Sequence, residues 1–424
     1  MRKNKSYFTL IFLCFCGSLL AQNQINSPYS RFGIGDLQSN ILSEYAAMGG
    51  SSIGSYNPNI VNPYNPASYS AFRANSFIFS TGGAHQTTKM QTINLEQTTN
   101  NSSFSHLILG FPISKMIGVS AGLLPFSNIG YHIEDSEIHP DLGNINYSYN
   151  GDGGLNILYV GAAYHLTENL SVGANANYLF GGLNRNKQVI FSDGETYNTR
   201  KTSSISAKGF FYQLGLQYYK DINDKTHFIL GFTANNNAEI SAKRSVLTET
   251  YELVSSIYEL VKDTIENTST GFTSNMVLPK NIGIGFSLDM DNKWLFMADF
   301  SMQDWSEYRM FGESDSLENS MKLSCGLQFT PDKMSVNKYW KLIKFRFGGK
   351  FQKSYLQLYN TQLNETSVTF GFGLPLRKTK SEINLAVEMG ERGTTNNNLI
   401  KEQFLRFQIG LSLKDIWFVK RKYD

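Results

Sequence analysis

The chain has 424 residues, 41% hydrophobic, 13% aromatic and 17% charged, with a formal net charge of +3. After residue 21 it holds no uninterrupted apolar run approaching the ~18 residues of a helical membrane span, which excludes a helical membrane protein. Removing residues 1–21 takes away Arg2, Lys3 and Lys5 and no acidic residue, so the remainder is neutral and its basic balance is no sign of a nucleic-acid partner.

Residues 1–21 read as a signal peptide. Arg2, Lys3 and Lys5 precede a largely apolar stretch over 7–20, and Leu20-Ala21 before Gln22 supplies the cleavage site. The bulky Phe15 before Cys16 disfavours lipid attachment. Cys14 and Cys16 leave with the leader, so Cys325 is the single mature cysteine and no internal disulfide can form.

Residues 22–75 carry Pro28, Pro58, Pro63 and Pro66 among many glycines and show no long alternation. Proline lacks the ladder donor, so this segment predicts a compact irregular element, a hatch or plug.

From residue 76 to 424 alternating strands repeat. In the last, Leu405, Phe407, Ile409, Leu411 and Leu413 oppose Arg406, Gln408, Gly410, Ser412 and Lys414. The same period predicts strand cores at 76–86, 103–112, 117–131, 154–165, 170–181, 204–219, 226–238, 270–288, 294–306, 320–330, 341–353, 366–376, 381–390 and 402–414. Fourteen is an even number, as a closed barrel with both termini periplasmic requires. The fold class is therefore all-β, a transmembrane antiparallel barrel of an outer membrane.

Connection lengths agree. Short turns follow the even-numbered strands at 113–115, 167–169, 223–225, 291–293 and 377–380, with the longer 331–339 in the same set. Longer connections are expected at 87–102, 132–153, 182–203, 239–269, 307–319, 354–365 and 391–401. Within 239–269, Leu253, Val254, Ile257, Tyr258 and Val261 recur at helical spacing and suggest a short amphipathic helix, the other reading being a strand extension interrupted by charge.

Alternation places Asp299, Lys344, Arg346, Lys350, Glu388 and Arg406 in the lumen, where charges need partners. Trp294, Trp340 and Trp417 fall near turns or strand ends, at the inner lipid interface. Trp305 lies one crossing of ~9–11 residues beyond Trp294. Cys325 shares the apolar parity of Leu323 and Leu327. Six histidines, at 85, 106, 132, 139, 165 and 227, show no metal-ligand spacing. No spacing selects a catalytic triad, so neither an enzyme nor a cofactor is expected.

Two stretches carry a family resemblance. The first is Ala47-Met48-Gly49-Gly50-Ser51-Ser52-Ile53-Gly54 with Asn62-Pro63-Tyr64-Asn65-Pro66-Ala67. The second runs from Leu278-Pro279 through Asp291-Asn292-Lys293-Trp294 to Asp304-Trp305-Ser306. Together they resemble the hatch and the proline-bearing strand, turn and outgoing strand of FadL-type outer-membrane transport proteins, in a divergent branch from the Bacteroidota. That resemblance implies a hatch-occluded barrel in outer-membrane lipid that takes up hydrophobic small molecules, in some members through a lateral opening. Some relatives instead look like noncatalytic subunits of secretion or assembly complexes, which is the alternative.

Overall fold

The computed structural model describes residues 27–38, 42–254, 258–268, 271–291, 293–315, 317–377 and 379–417. The leader, Asn292 and the last seven residues lie outside the described residues.

Fourteen strands close into one antiparallel ring. In chain order they are β1 (Ser76–Gln91), β2 (Glu96–Pro112), β3 (Ile117–His139), β4 (Gly143–Thr167), β5 (Leu170–Phe191), β6 (Asn198–Asn223) and β7 (Thr226–Asn235). Then follow β8 (Asn281–Met290), β9 (Trp294–Gln303), β10 (Ser320–Phe329), β11 (Lys344–Leu358), β12 (Thr361–Pro375), β13 (Glu382–Arg392) and β14 (Lys401–Ile416). Closure comes from β14 against β1, from Lys401 opposite Gln91 to Ile416 opposite Ser76. Alternation decides the faces: Phe407, Ile409 and Leu413 point outward and are exposed, while Gln408 and Ser412 point inward and are buried. Every ring strand is paired on both sides, β2 with β3 over the shortest stretch, so the paired backbone is satisfied without water. This is an outer-membrane, multi-pass architecture.

The fold differs from the sequence-based expectation in three places. First, several expected long connections are strand. β4 has 25 residues, about 80 Å at ~3.3 Å per residue, so the wall at β3–β6 rises far beyond a bilayer. Its outer part is rich in Asn, Ser, Thr and Tyr, which keep alternating without the apolar face that lipid demands.

Second, where a helix is expected around Leu253–Val261, the described residues form strands on either side. Ala238–Leu253 pairs with β6 and with Glu259–Asn267, outside the ring; Ile257 lies outside the described residues. Cross-strand partners fix the choice: Arg200 on β6 meets Glu249 at 3.2 Å and Glu259 at 2.8 Å. Helical spacing of five apolar residues does not outweigh such pairing.

Third, the single strand expected over 270–288 is broken. Phe272–Leu278 pairs with Ala238–Arg244 outside the ring, and only Asn281–Met290 belongs to it. Pro279 supplies no ladder donor, so the chain leaves one sheet partner and joins another there.

Candidate functional site: a lumen closed at two levels

The N-terminal segment lies inside the ring and touches the wall at two levels. The lower level, residues 42–75, sits toward the short-turn end. A short helix, Ser43–Ala46, leads into Met48-Gly49-Gly50. Gly49 has φ +66°, and Cβ atoms built on the facing wall glycines Gly326 and Gly348 would lie 2.4 Å from Met48 Cβ and 2.3 Å from Gly49 N. Only glycine on the wall lets this backbone approach so closely. The Gly49 N–H donates to Thr369 Oγ1 at 2.9 Å.

The two hatch motifs are bonded to each other and to the wall. Asn62 Nδ2 donates to Ser52 O at 2.7 Å and Asn65 Nδ2 to Ile53 O at 2.8 Å. Asn65 caps the turn begun by Pro66, accepting from Ala67 N at 3.2 Å. Asn175 of β5 donates to Pro63 O at 3.2 Å, and Ser287 of β8 to Gly54 O at 2.8 Å. Asp299 of β9 accepts from Ser52 N at 2.5 Å and Ile53 N at 2.8 Å. Gly50 lines the space above.

Glu44 departs from this satisfaction. It is 1% exposed, and neither carboxylate oxygen has a hydrogen-bond partner in another described residue. Burial raises its pKa, opposed by its own backbone N–H and by Arg346 and Lys344, while Glu382 adds to the rise.

The upper level, residues 27–38, lies nearer the long-strand end. Tyr29 OH donates to Ile400 O at 2.7 Å and accepts from Ile400 N at 2.8 Å. Arg392 of β13 pairs with Asp36 at 2.9 Å and with Glu402 at 2.7 Å. Arg185 donates to Gly33 O at 2.7 Å and Tyr355 OH to Gly35 O at 2.5 Å. Trp305 stacks on Tyr355 at 4.6 Å and is fully buried, so it is a packing residue.

The wall has a notch beside this segment. β2 pairs with β3 only between Leu107–Pro112 and Gly118–Leu123. Above it β3 passes Pro125 with a register shift. Asp36 and Leu37 pair with Asn128 and Ser127 at that open edge, and Gln38 N donates to Phe126 O at 2.9 Å. The N-terminal segment thus supplies the strand partner that β2 does not.

Between the two levels lies a cavity of about 380 Å³. Five of the six expected lumen charges meet in one wall sector. Lys344 and Arg346 share Glu382, the latter at 2.8 Å. Lys350 contacts Glu365 and Glu388, each at 2.8 Å, and Arg406 contacts Glu388 at 3.0 Å. Asp299 stands apart on β9. Glu382, Arg392 and Glu402 escaped the sequence reading, although extending the inward parity along β13 and β14 reaches all three.

The remaining residues singled out from sequence fall at the barrel ends. Trp294 packs at a tilt against Phe329, ring centroids 4.3 Å apart, and Trp417 stacks on Phe77 at 3.9 Å, at the short-turn end, where Trp340 is also exposed. Asp291 occupies the turn beside Trp294 with φ +55°. Leu278 is buried just before the break at Pro279. Cys325 is free and points outward. Among the described residues no group of His, Cys, Asp and Glu forms a metal site.

A family model described as BamG matches residues 2–424. The chain belongs to the BamG family. No curated protein matches the sequence. Solved structures share the fold of this BamG-family barrel. The Pseudomonas putida toluene transporter TodX has TM-score 0.56 and 16% identity, over 91% of this chain and 100% of that one. The Ralstonia pickettii toluene transporter TbuX has TM-score 0.55 and 13% identity, over 92% and 99%. A Pseudomonas aeruginosa FadL homologue has TM-score 0.56 and 10% identity, over 91% and 100%. The FadL-type resemblance thus holds at the level of fold.

Proposed function

We propose that this barrel is a noncatalytic accessory or scaffold subunit of an outer-membrane assembly. The observation that carries the reading is double closure. The N-terminal segment is bonded into the wall below by Asp299, Asn175 and Ser287 and above by Arg392, Tyr355 and Arg185. A passive hydrocarbon route would need an apolar path, and this space is bordered by paired charges whose desolvation by a hydrocarbon is costly. Outside the ring, the added strands expose Val261, Ile265 and Phe272, a surface suited to a protein neighbour. Gentle detergent extraction followed by affinity purification and mass spectrometry tests this. A reproducible set of outer-membrane proteins at fixed stoichiometry is expected; a barrel that emerges alone refutes it.

One observation favours a second reading, uptake of hydrophobic small molecules. The notch between β2 and β3 lies beside the cavity and is rimmed by Phe104, Leu124 and Phe126. Cells with and without the protein would then differ in uptake of a labelled aromatic hydrocarbon. Equal uptake with normal barrel insertion excludes it.

A further inference from the structure

The cavity between the two levels carries an ordered feature that neither reading uses. Gln213 on β6, Asn235 on β7, Asn281 on β8 and Gln303 on β9 are successive register partners, so four carboxamides form one row across four strands. All four line the cavity. Neighbouring strands are ~4.8 Å apart, so the row repeats at that interval.

The ends of the row are occupied. Gln213 Nε2 donates to Tyr64 O at 2.7 Å and Gln303 Nε2 to Pro279 O at 3.2 Å. Asn235 and Asn281, in the centre, are half-buried, and their side chains make no hydrogen bond among the described residues. Phe126 and Phe211, whose rings are 6.4 Å apart, line the same cavity, as does Tyr159.

Three cations on the wall are already matched. Lys350 is held by Glu365 and Glu388, Arg392 by Asp36 and Glu402, and Arg406 by Glu388. A charged guest that engaged one of these cations would have to displace its partner. A hydrocarbon would strip water from the free amides without replacing its hydrogen bonds, at a cost of ~1–3 kcal/mol per group. A hydroxyl donates once and accepts twice, so it meets a carboxamide whichever way that amide is turned. Sugar-like molecules combine such hydroxyls with C–H faces that pack on aromatic rings. A volume of about 380 Å³ lies within the range of small-molecule sites.

We propose that this cavity binds a neutral, hydroxyl-rich small molecule of sugar size, through the amide row of β6–β9 and the aromatic side chains that share the space. The site is independent of whether the barrel works alone or within an assembly.

Saturation-transfer difference NMR on the full chain in nanodiscs tests it, with sucrose and trehalose as hydroxyl-rich probes, glycine betaine as a zwitterion and toluene as a hydrocarbon. At least one sugar gives a saturable signal, and the double variant Asn235→Leu/Asn281→Leu weakens it at least tenfold while retaining heat-modifiable barrel migration on gels. A single-site pair, Asn235→Gln and Asn281→Gln, keeps binding within a few-fold and guards against a folding defect. Three results overturn the proposal: no saturable signal from either sugar, saturation by toluene or betaine alone, or sugar binding that the leucine pair leaves unchanged.

Discussion

Arg392 and Asp36 meet at 2.9 Å, and this contact ties β13 across the lumen to the N-terminal segment that lines the notch. Asp36 also stands opposite Asn128 of β3, so one side chain of β13 holds the backbone that completes β3. Both partners are largely buried, each 17% exposed at the side chain. Removing Asp36 leaves Arg392 to Glu402 alone, 2.7 Å away, at a cost below the ~3 kcal/mol of a fully orphaned buried charge. Asp36→Ala is therefore expected to release residues 27–38 while the ring persists. Hydrogen exchange would show faster exchange at Asp36–Gln38 and on the β3 edge near Phe126, with the β14–β1 seam unchanged.

Gly348 and Gly349 are neighbours on β11 that face opposite ways. A Cβ on Gly348 would come within 2.3 Å of Gly49 N, whereas one on Gly349 meets nothing nearer than Ser367 O at 3.5 Å. Gly348→Val should unseat the lower level and Gly349→Ala should not. Planar-bilayer conductance separates them: a conductance several-fold above wild type is expected for the first and none for the second.

Glu44 gives the lower level a pH dependence. Its carboxyl is buried without a hydrogen bond to another described residue and its pKa is raised by that burial. The seated state therefore binds the proton more tightly than the released state. Seating is strongest below the ordinary carboxylate pKa and weakens as pH rises through the raised value. Arg346 and Lys344 of β11 limit the effect, and Glu382 of β13 adds to it. Glu44→Gln should remove the dependence, giving exchange rates at residues 45–50, corrected for intrinsic pH effects, that no longer rise from acid to alkaline pH. A wild type whose corrected rates are flat over that range contradicts this.

The wall was legible because alternation is local. Arg346, Lys350, Glu388 and Arg406 could be assigned inward from their own strands, and each proves to be in an ion pair. The wall glycines had the right parity, but the reason for their size did not show in the sequence. Met48 above Gly348 joins positions 300 residues apart, and nothing in either strand announces that register. Asp36 was missed on the same ground, since its partners Arg392 and Asn128 both lie far from it in sequence. The strand at Glu259–Asn267 was obscured because its pattern satisfied a helical spacing as well as a bulged strand.

Val368 and Thr369 test the assignment of lipid and lumen faces at one place. Val368 is 65% exposed on the outer surface of β12, and Thr369 is 5% exposed and accepts from Gly49 N. A cationic side chain facing hydrocarbon near mid-depth costs about 2–4 kcal/mol, and the loss of one neutral hydrogen bond about 1 kcal/mol. Val368→Arg should therefore lower the stability of the folded barrel in lipid by several-fold more than Thr369→Val. Reversible urea unfolding in lipid vesicles, followed by tryptophan fluorescence, reads that difference. Thr369→Val should in turn speed exchange at Gly49, an effect with no counterpart in Val368→Arg, because the hydroxyl holds the N-terminal segment and the isopropyl group meets only lipid. Equal losses for the two variants would mean that β12 does not present these faces to lipid and lumen.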